Sequence, residues 1–509
     1  MNLFFVISGC ILLLLFAFFI RVKPIWKNRY RGVDAYYYLL CVEEFKRNKK
    51  IPIVLPPYYL LDIQEQWYPP GFTIFLALFP QRFVEKYYWA LSPATDCLIL
   101  ALLYILTYLV TGSIAAAILA GLLYALTPAV IVECSSLNSR PLGCLFLIAT
   151  ILSTFAFANY HSQYFLGICL FSGFCLLMTH KMSAQLLYFV LPLMSLVFWD
   201  ATYVLVMLGI IATAFVLSKG FFIKVLRGQY DILSFWNRNW RNLGAHQMYS
   251  SPIYGDETGD DPGRVFQRGF KGLYRQIRSL GLNIFVVLLV FPILHYNQLS
   301  LFDRQMLWWV VLTYVLAVLT LLIPRFRFYG EGLKYLRMVA FPISYLAITP
   351  FCYGWDISYY FYPVLAVAIV GSIAVILRVY GSVAAAPWSE PRMGNDLAHV
   401  ITFLKEDHEV AVILSLPQHY MDMIAYHCRK KVLWGTHSDN FRVVEPFYPV
   451  YRQPLEFFVS TYNVSHIVVD TDYVPPELLQ LSLNNRVFSA GHYEVYDVWS
   501  KPLRLDTLG

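Results

Sequence analysis

Two carboxylates and a few cations stand where long apolar runs begin or end, and their types set the chemical options. Asp34 opens the stretch "GVDAYYYLLCVEEFKRNKK", and Glu133 closes an apolar run in "VIVECSSLNSRPLG", just ahead of Arg140. A carboxylate so placed can take a proton from an attacking hydroxyl or bind a divalent cation such as Mg²⁺ or Mn²⁺. Asp34 can instead cap the helix that follows it. Glu133, at membrane depth, would cost roughly 2.5–3.5 kcal/mol if left unpaired, so it needs a partner, and both an ion pair with Arg140 and a metal remain open. In "RFRFYGEGLKYLRMVAFP", Lys334 and Arg337 lie three apart on one helical face beside Tyr335. Such cations hold a phosphate or anchor the chain to lipid head groups. His180 and Lys181, in "THKMSAQ", are further candidates for phosphate contact.

The elements that position these residues are mainly membrane spans. The chain has 509 residues, 58% of them hydrophobic and 14% charged, far from the balance of a soluble protein. A crossing takes roughly 20 apolar residues, and about eleven such runs occur. They fall near 3–20, 92–111, 113–133, 141–159, 163–178, 184–199, 201–218, 282–298, 305–323, 337–352 and 357–380. The two around Trp199–Asp200 are short and read as re-entrant or as one broken span. The first run lacks a basic flank and a small-residue cleavage site, which makes it an anchor. The nine cysteines show no CxxC and no pairing pattern, so they read as packing residues. No P-loop, GxGxxG or metal-ligand spacing occurs, which removes support for nucleotide-driven transport.

Polar segments at 21–91, 133–143, 219–281, 324–336 and 385–509 all fall on one face when the spans are counted. The positive-inside rule, applied to Lys23, Lys27, Arg29 and Arg31, places that face in the cytoplasm, but long loops escape the rule. Residues 1–384 form the transmembrane part and 385–509 a soluble α/β domain. In that domain "DLAHVITFLKE" is helical, "EVAVILSL" and "SHIVVDTD" are strands, and "VFSAGHYEVYDVW" is a hairpin. His419, His427 and His437 show no ligand spacing. In the first loop, Asp34, Tyr37, Tyr38, Cys41 and Phe45 share one helical face, with Glu43 and Arg47 paired on another, as in an amphipathic helix at the membrane surface. "YPPGFTIFLALFP" then returns to the interface. Loop 219–281 reads as two amphipathic helices around a turn. Its Trp236, Trp240 and His246 either line a sugar cleft or belong to an interfacial belt. Acids interrupt its basic residues, and nucleic acid is excluded as a partner.

Together, "GVDAYYYLLCVEEFKRNK", "YPPGFTIFLALF", "LNSRPLG" and "THKMSAQLLYF" resemble the lipid-linked-sugar glycosyltransferases of the GT-C class, most of all oligosaccharyltransferase catalytic subunits and their bacterial and archaeal relatives. The resemblance implies an α-helical polytopic membrane protein with a small C-terminal α/β domain. It implies inverting transfer of a sugar from a polyprenyl-phosphate carrier to a glycan, lipid or protein acceptor on the extracytoplasmic side, within a membrane-lipid environment. Asp34 matches the first-loop acid that serves as base or metal ligand, and Glu133 a second acid. Lys334 and Arg337 would clamp phosphate, with Tyr335, Arg140, His180, Lys181, His246 and Tyr37 completing the substrate site and Mg or Mn a possible cofactor. The signature WWDYG is absent, which speaks against transfer of a whole glycan to asparagine. The competing class is a transporter or lipid-linked-sugar flippase. That class would place its acids in mid-span or in related halves, whereas the acids above sit at span ends and no repeat is present.

Overall fold

The computed structural model describes residues 3–26, 34–55, 57–61, 65, 67–134, 136–240, 269–330, 332–355, 358–385, 394–435 and 441–499. His246 and His437 lie outside them. The apolar runs are helical throughout: α1 (Leu3–Trp26), α2 (Asp34–Asn48), α3 (Gly71–Ala77), α4 (Gln81–Thr111), α5 (Ile114–Ala125), α6 (Pro128–Cys134), α7 (Arg140–Tyr160), α8 (Gln163–Leu177), α9 (Lys181–Phe198), α10 (Thr202–Leu217), α11 (Phe221–Arg238), α12 (Gly269–Leu280), α13 (Val290–Leu294) and α14 (Leu301–Leu322). The short helices α15 (Leu333–Leu336), α16 (Ala340–Leu346) and α17 (Thr349–Cys352) run into one another through a tighter turn at Arg337–Val339, and α18 (Ser358–Ala385) follows.

Among the described residues, seven helices are long and apolar enough to cross a membrane, or up to nine if each of two bent pairs is one span. The eleven expected runs are these nine and two shorter apolar helices, Gln163–Leu177 and Ile284–Leu294. At Trp199–Asp200 the chain makes a short turn between α9 and α10, with Trp199 in the left-handed region at φ 51°. The sharp bend comes later, 118° between α10 and α11, so α11 leaves the direction of the bundle. The bundle turns side chains such as Phe4, Leu12 and Leu15 outward, as lipid-facing helices do. In contrast, 89% of the apolar window in Lys334–Cys352 is buried inside the molecule. Arg337 therefore belongs to the innermost helix and is no surface anchor.

The C-terminal part carries a five-stranded sheet: β1 (Val412–Leu416), β2 (Lys431–Val432), β3 (His466–Asp470), β4 (Arg486–Ala490) and β5 (Tyr493–Asp497), in the order β2-β1-β3-β5-β4. The β2-β1-β3 pairs are parallel and the β3-β5-β4 pairs antiparallel. Helices α19 (Asn395–Glu406), α20 (Met421–Cys428), α21 (Phe441–Val444) and α22 (Leu455–Tyr462) accompany it. The first loop joins this sheet at β2: the Val432 N–H donates to Tyr58 O at 2.9 Å, and the Leu60 and Leu61 N–H groups donate to Val432 O and Leu433 O at 3.0 and 3.2 Å.

This docking changes α2 from the expected surface helix. Residues 35–42 are all buried, because α20 covers the side turned away from α3 and α4. Tyr36 meets Tyr426 and His427 with ring centroids 5.5 and 5.2 Å apart. The expected Glu43–Arg47 pair is replaced. Glu43 bonds Arg429 of the C-terminal part at 2.6 Å, and Arg47 turns to Glu44. Trp236, on α11, sits 6.1 Å from Tyr448, under the same C-terminal part.

Candidate active site

The turn between α6 and α7 is built by Asn138. Its Nδ2 donates to Glu133 O and Ser136 O at 2.9 and 3.0 Å, and its Oδ1 accepts the Arg140 N–H at 2.9 Å. The Asn138 N–H donates to Ser92 Oγ at 3.1 Å, tying the turn to α4. Pro141 then starts α7, where a missing N–H costs nothing. Glu133 and Arg140 are thereby brought face to face, with Arg140 Nη1 donating to Glu133 Oε2 at 2.5 Å. The ion pair left open by the sequence is formed.

Asp34 stands in the first turn of α2, half-buried. One turn on, the Tyr38 hydroxyl donates to Ser139 Oγ at 3.1 Å, pinning α2 over the start of α7. Asp34 consequently lies within electrostatic reach of Arg140 and His180. His180 is the N-cap of α9: its Nδ1 accepts the Ser183 N–H at 3.3 Å. An accepting Nδ1 leaves the proton of the neutral ring on Nε2. Burial, followed by the nearby Arg140 and Lys181, holds this imidazole well below its usual pKa, so it stays neutral. The contact depends on Gly143, where a Cβ would stand 2.3 Å from the Cβ of His180.

The remaining cations arrive from α15 and the turn that follows it. Lys334 and Arg337 both lie within electrostatic reach of Glu133. Arg337 is buried, its Nη2 donating to Asp96 Oδ1 at 3.3 Å and to Cys134 Sγ at 3.4 Å. Its Nε and Nη1 have no hydrogen-bond partner among the described residues. Two expected contributors serve packing instead. Tyr335 is fully buried, with its hydroxyl 3.0 Å from Gln185 Oε1 and 2.9 Å from Tyr329 O, so it fastens α15 to α9. Tyr37 is packed edge-on against Tyr38 and Tyr68, centroids 5.6 and 6.5 Å away, and lines a cavity of about 10 Å³, room for one water at most.

One end of the bundle thus gathers Asp34, Glu133, Arg140, His180, Lys181, Lys334 and Arg337, a set richer in cations than in carboxylates. That balance suits an anion. A divalent metal held by Asp34 and Glu133 would have to displace Arg140 from Glu133 against two further cations. Among the described residues, the group of three metal-ligand side chains is elsewhere, at Asp470, Asp472 and His492.

Solved structures of the same architecture exist. The oligosaccharyltransferase AglB of Archaeoglobus fulgidus, in complex with an inhibitory peptide and a dolichol-phosphate, matches with TM-score 0.55 at 14% identity, covering 92% of this chain and 69% of its own. ArnT from Cupriavidus metallidurans bound to undecaprenyl phosphate matches with TM-score 0.58 at 13% identity, covering 96% of this chain and 97% of its own. The fold is that of the GT-C glycosyltransferases. No family model matches the chain, and no curated protein matches it by sequence.

Within this GT-C fold, the sequence reading missed a second layer. Asp96, in mid-span on α4, is fully buried. It accepts Arg21 Nε at 2.6 Å and the Tyr124 hydroxyl at 2.9 Å, besides Arg337. The signal was available, since a lone acid within an apolar span is costly enough to demand a reason. Asn138 carried no such signal, because its role is local geometry.

Proposed function

We propose that this chain is a GT-C-type glycosyltransferase that moves a sugar from a polyprenyl-phosphate carrier to an acceptor hydroxyl on the extracytoplasmic side. The observation that carries the reading is the placement of Asp34 beside a cluster of cations at one end of the bundle. A donor phosphate bound by Arg337, Lys334, Arg140 and the Nε2–H of His180 would present the anomeric carbon of its attached sugar towards Asp34. The acceptor oxygen forms a bond to that carbon as the carbon–phosphate oxygen bond breaks, and Asp34 takes the hydroxyl proton. The departing phosphate gains negative charge, and the guanidinium and ammonium groups already fixed around it stabilise it at the moment it forms. A single displacement inverts the anomeric centre. Dolichol-phosphate in AglB and undecaprenyl phosphate in ArnT support this donor class. No metal enters the proposed steps.

The test uses the full chain in nanodiscs with a panel of polyprenyl-phosphate sugars, following release of polyprenyl phosphate. Asp34→Asn is expected to lower release about 10²–10⁴-fold, the usual worth of a positioned base. It should still bind decaprenyl phosphate, because the cations remain. Movement of a donor between leaflets without release would select the flippase instead.

A further inference from the structure

We infer that Asp96 is a positioning residue for the leaving phosphate: it fixes one corner of Arg337 and leaves the other donors of that guanidinium for the substrate anion. The inference rests on the donor reading above and deepens it.

Three elements distant in the sequence meet at this carboxylate. Arg21 comes from α1, Asp96 from α4 and Arg337 from the turn after α15. Asp96 and Arg21 are fully buried, and Arg337 is 3% exposed. Oδ2 of Asp96 is taken by Arg21 Nε at 2.6 Å, and Oδ1 is shared by the Tyr124 hydroxyl at 2.9 Å and Arg337 Nη2 at 3.3 Å. One acid therefore serves two guanidinium groups, and the trio keeps one uncompensated positive charge. Buried donors without partners are costly, and an unpaired buried charge is more so. Yet Nε and Nη1 of Arg337 have no partner among the described residues. Glu133, the other acid within reach of Arg337, is held by Arg140 at 2.5 Å. What is missing is an anion, and the phosphate of the donor supplies it.

Asp96 acts here through Arg337. Loss of its charge would leave two buried guanidinium groups repelling each other and would free Arg337 to turn towards Glu133, away from the phosphate. Binding would survive because positive charge remains, whereas the aim of the donors, on which the transition state depends, would be lost.

The experiment compares wild type, Asp96→Asn and the double variant Arg21→Met/Asp96→Asn, each full-length in nanodiscs. Farnesyl phosphate is the binding probe, read by ³¹P NMR, and kcat and KM are measured for donor consumption. The double variant removes both ends of the Arg21–Asp96 pair, a change that buried ion pairs often tolerate, so it carries the test if Asp96→Asn does not fold. Expected for both variants is a Kd within about threefold of wild type, a bound ³¹P resonance moved towards the free position, and kcat lowered by about 10²-fold, as for a displacement near 1 Å. Recovery of wild-type kcat and ³¹P shift in the double variant would show that Asp96 merely neutralises Arg21, and would overturn the inference. Wild type that fails to bind farnesyl phosphate would instead remove the donor reading on which it stands.

Discussion

Replacing Gly143 by alanine tests whether the contact between α7 and α9 belongs to the reacting geometry. The added Cβ would lie 2.3 Å from His180 Cβ and 2.9 Å from its Cγ, where carbon atoms prefer about 3.5–4.0 Å. One of the two helix starts must therefore move by roughly 1.2 Å to reach that contact distance. Neither atom belongs to the far end of a flexible side chain, so the shift falls on backbone. Overpacking of this kind costs about 1–3 kcal/mol, and loss of the His180–Ser183 cap falls within that range. The same shift carries Arg140, in the first turn of α7, away from His180 and Lys181. A misplacement near 1 Å lowers turnover about 10²-fold. Thermal unfolding in nanodiscs and donor consumption report the two effects separately. A variant with lowered unfolding temperature and wild-type turnover would refute the placement of His180 and Arg140 around the donor. Unchanged stability would refute the packing argument itself.

Glu133→Gln removes the counter-ion of Arg140 in a pair that is 16% and 29% exposed, so it should destabilise the protein by about 2 kcal/mol, below the value for a fully buried pair. Turnover of the wild type should be unchanged by EDTA, and a Mg²⁺- or Mn²⁺-dependent rate abolished by Glu133→Gln would establish the metal-ligand role instead. His427, edge-on to Tyr36, is held by burial and then by Arg429 at a pKa of about 4. Its unfolded value is near 6.5, so the unfolded chain binds more protons between those limits; stability present above pH 6.5 is lost as pH falls towards 4, by at most about 3 kcal/mol. Hydrogen exchange of α20 at pH 7.5 and pH 5 should show this, and His427→Gln should flatten it. Val432→Pro removes the N–H that bonds Tyr58 O while sparing the Leu433 N–H bond to Ile413 O. It should expose residues 58–61 to protease and lower turnover, and protection equal to wild type would show that the loop is held without that bond.

How much the sequence disclosed depended on the range of the interactions involved. Hydropathy placed the eleven apolar runs, amphipathic spacing the helices of loop 219–281, and short β-branched runs β1, β3 and the closing hairpin, because these patterns repeat within a few residues. Glu133 and Arg140 were legible as a pair for the same reason. What lay outside reach was set by partners far along the chain. Glu43 was assigned to Arg47, its helical neighbour, because Arg429 is 386 residues away. Residues 58–61 carry no strand pattern, since their edge pairing is supplied by β2. Asp96 was visible as an acid in a span, but its two guanidinium partners come from opposite parts of the bundle, and no local spacing connects them. Tyr335 was placed beside the phosphate because it stands between two cations, whereas its buried ring and bonded hydroxyl turn it into the core.

The first loop and the C-terminal sheet form one piece of architecture, and this bears on how a single carboxylate can be held over a membrane bundle. Asp34 stands in the first turn of α2, and an exposed helix of 15 residues is marginal in water on its own. Here its far side is covered by Tyr426 and His427, Glu43 is tied to Arg429, and the loop that follows is hydrogen-bonded to β2. On its near side, Tyr38 reaches Ser139 at the turn that also presents Arg140. The position of Asp34 is thus fixed from two directions by parts of the chain that share no local sequence. A transport path would need this roof to open while charges cross the bundle. A base, the role proposed for Asp34, requires the opposite, a fixed distance to one carbon, and the burial of residues 35–42 would keep that distance constant.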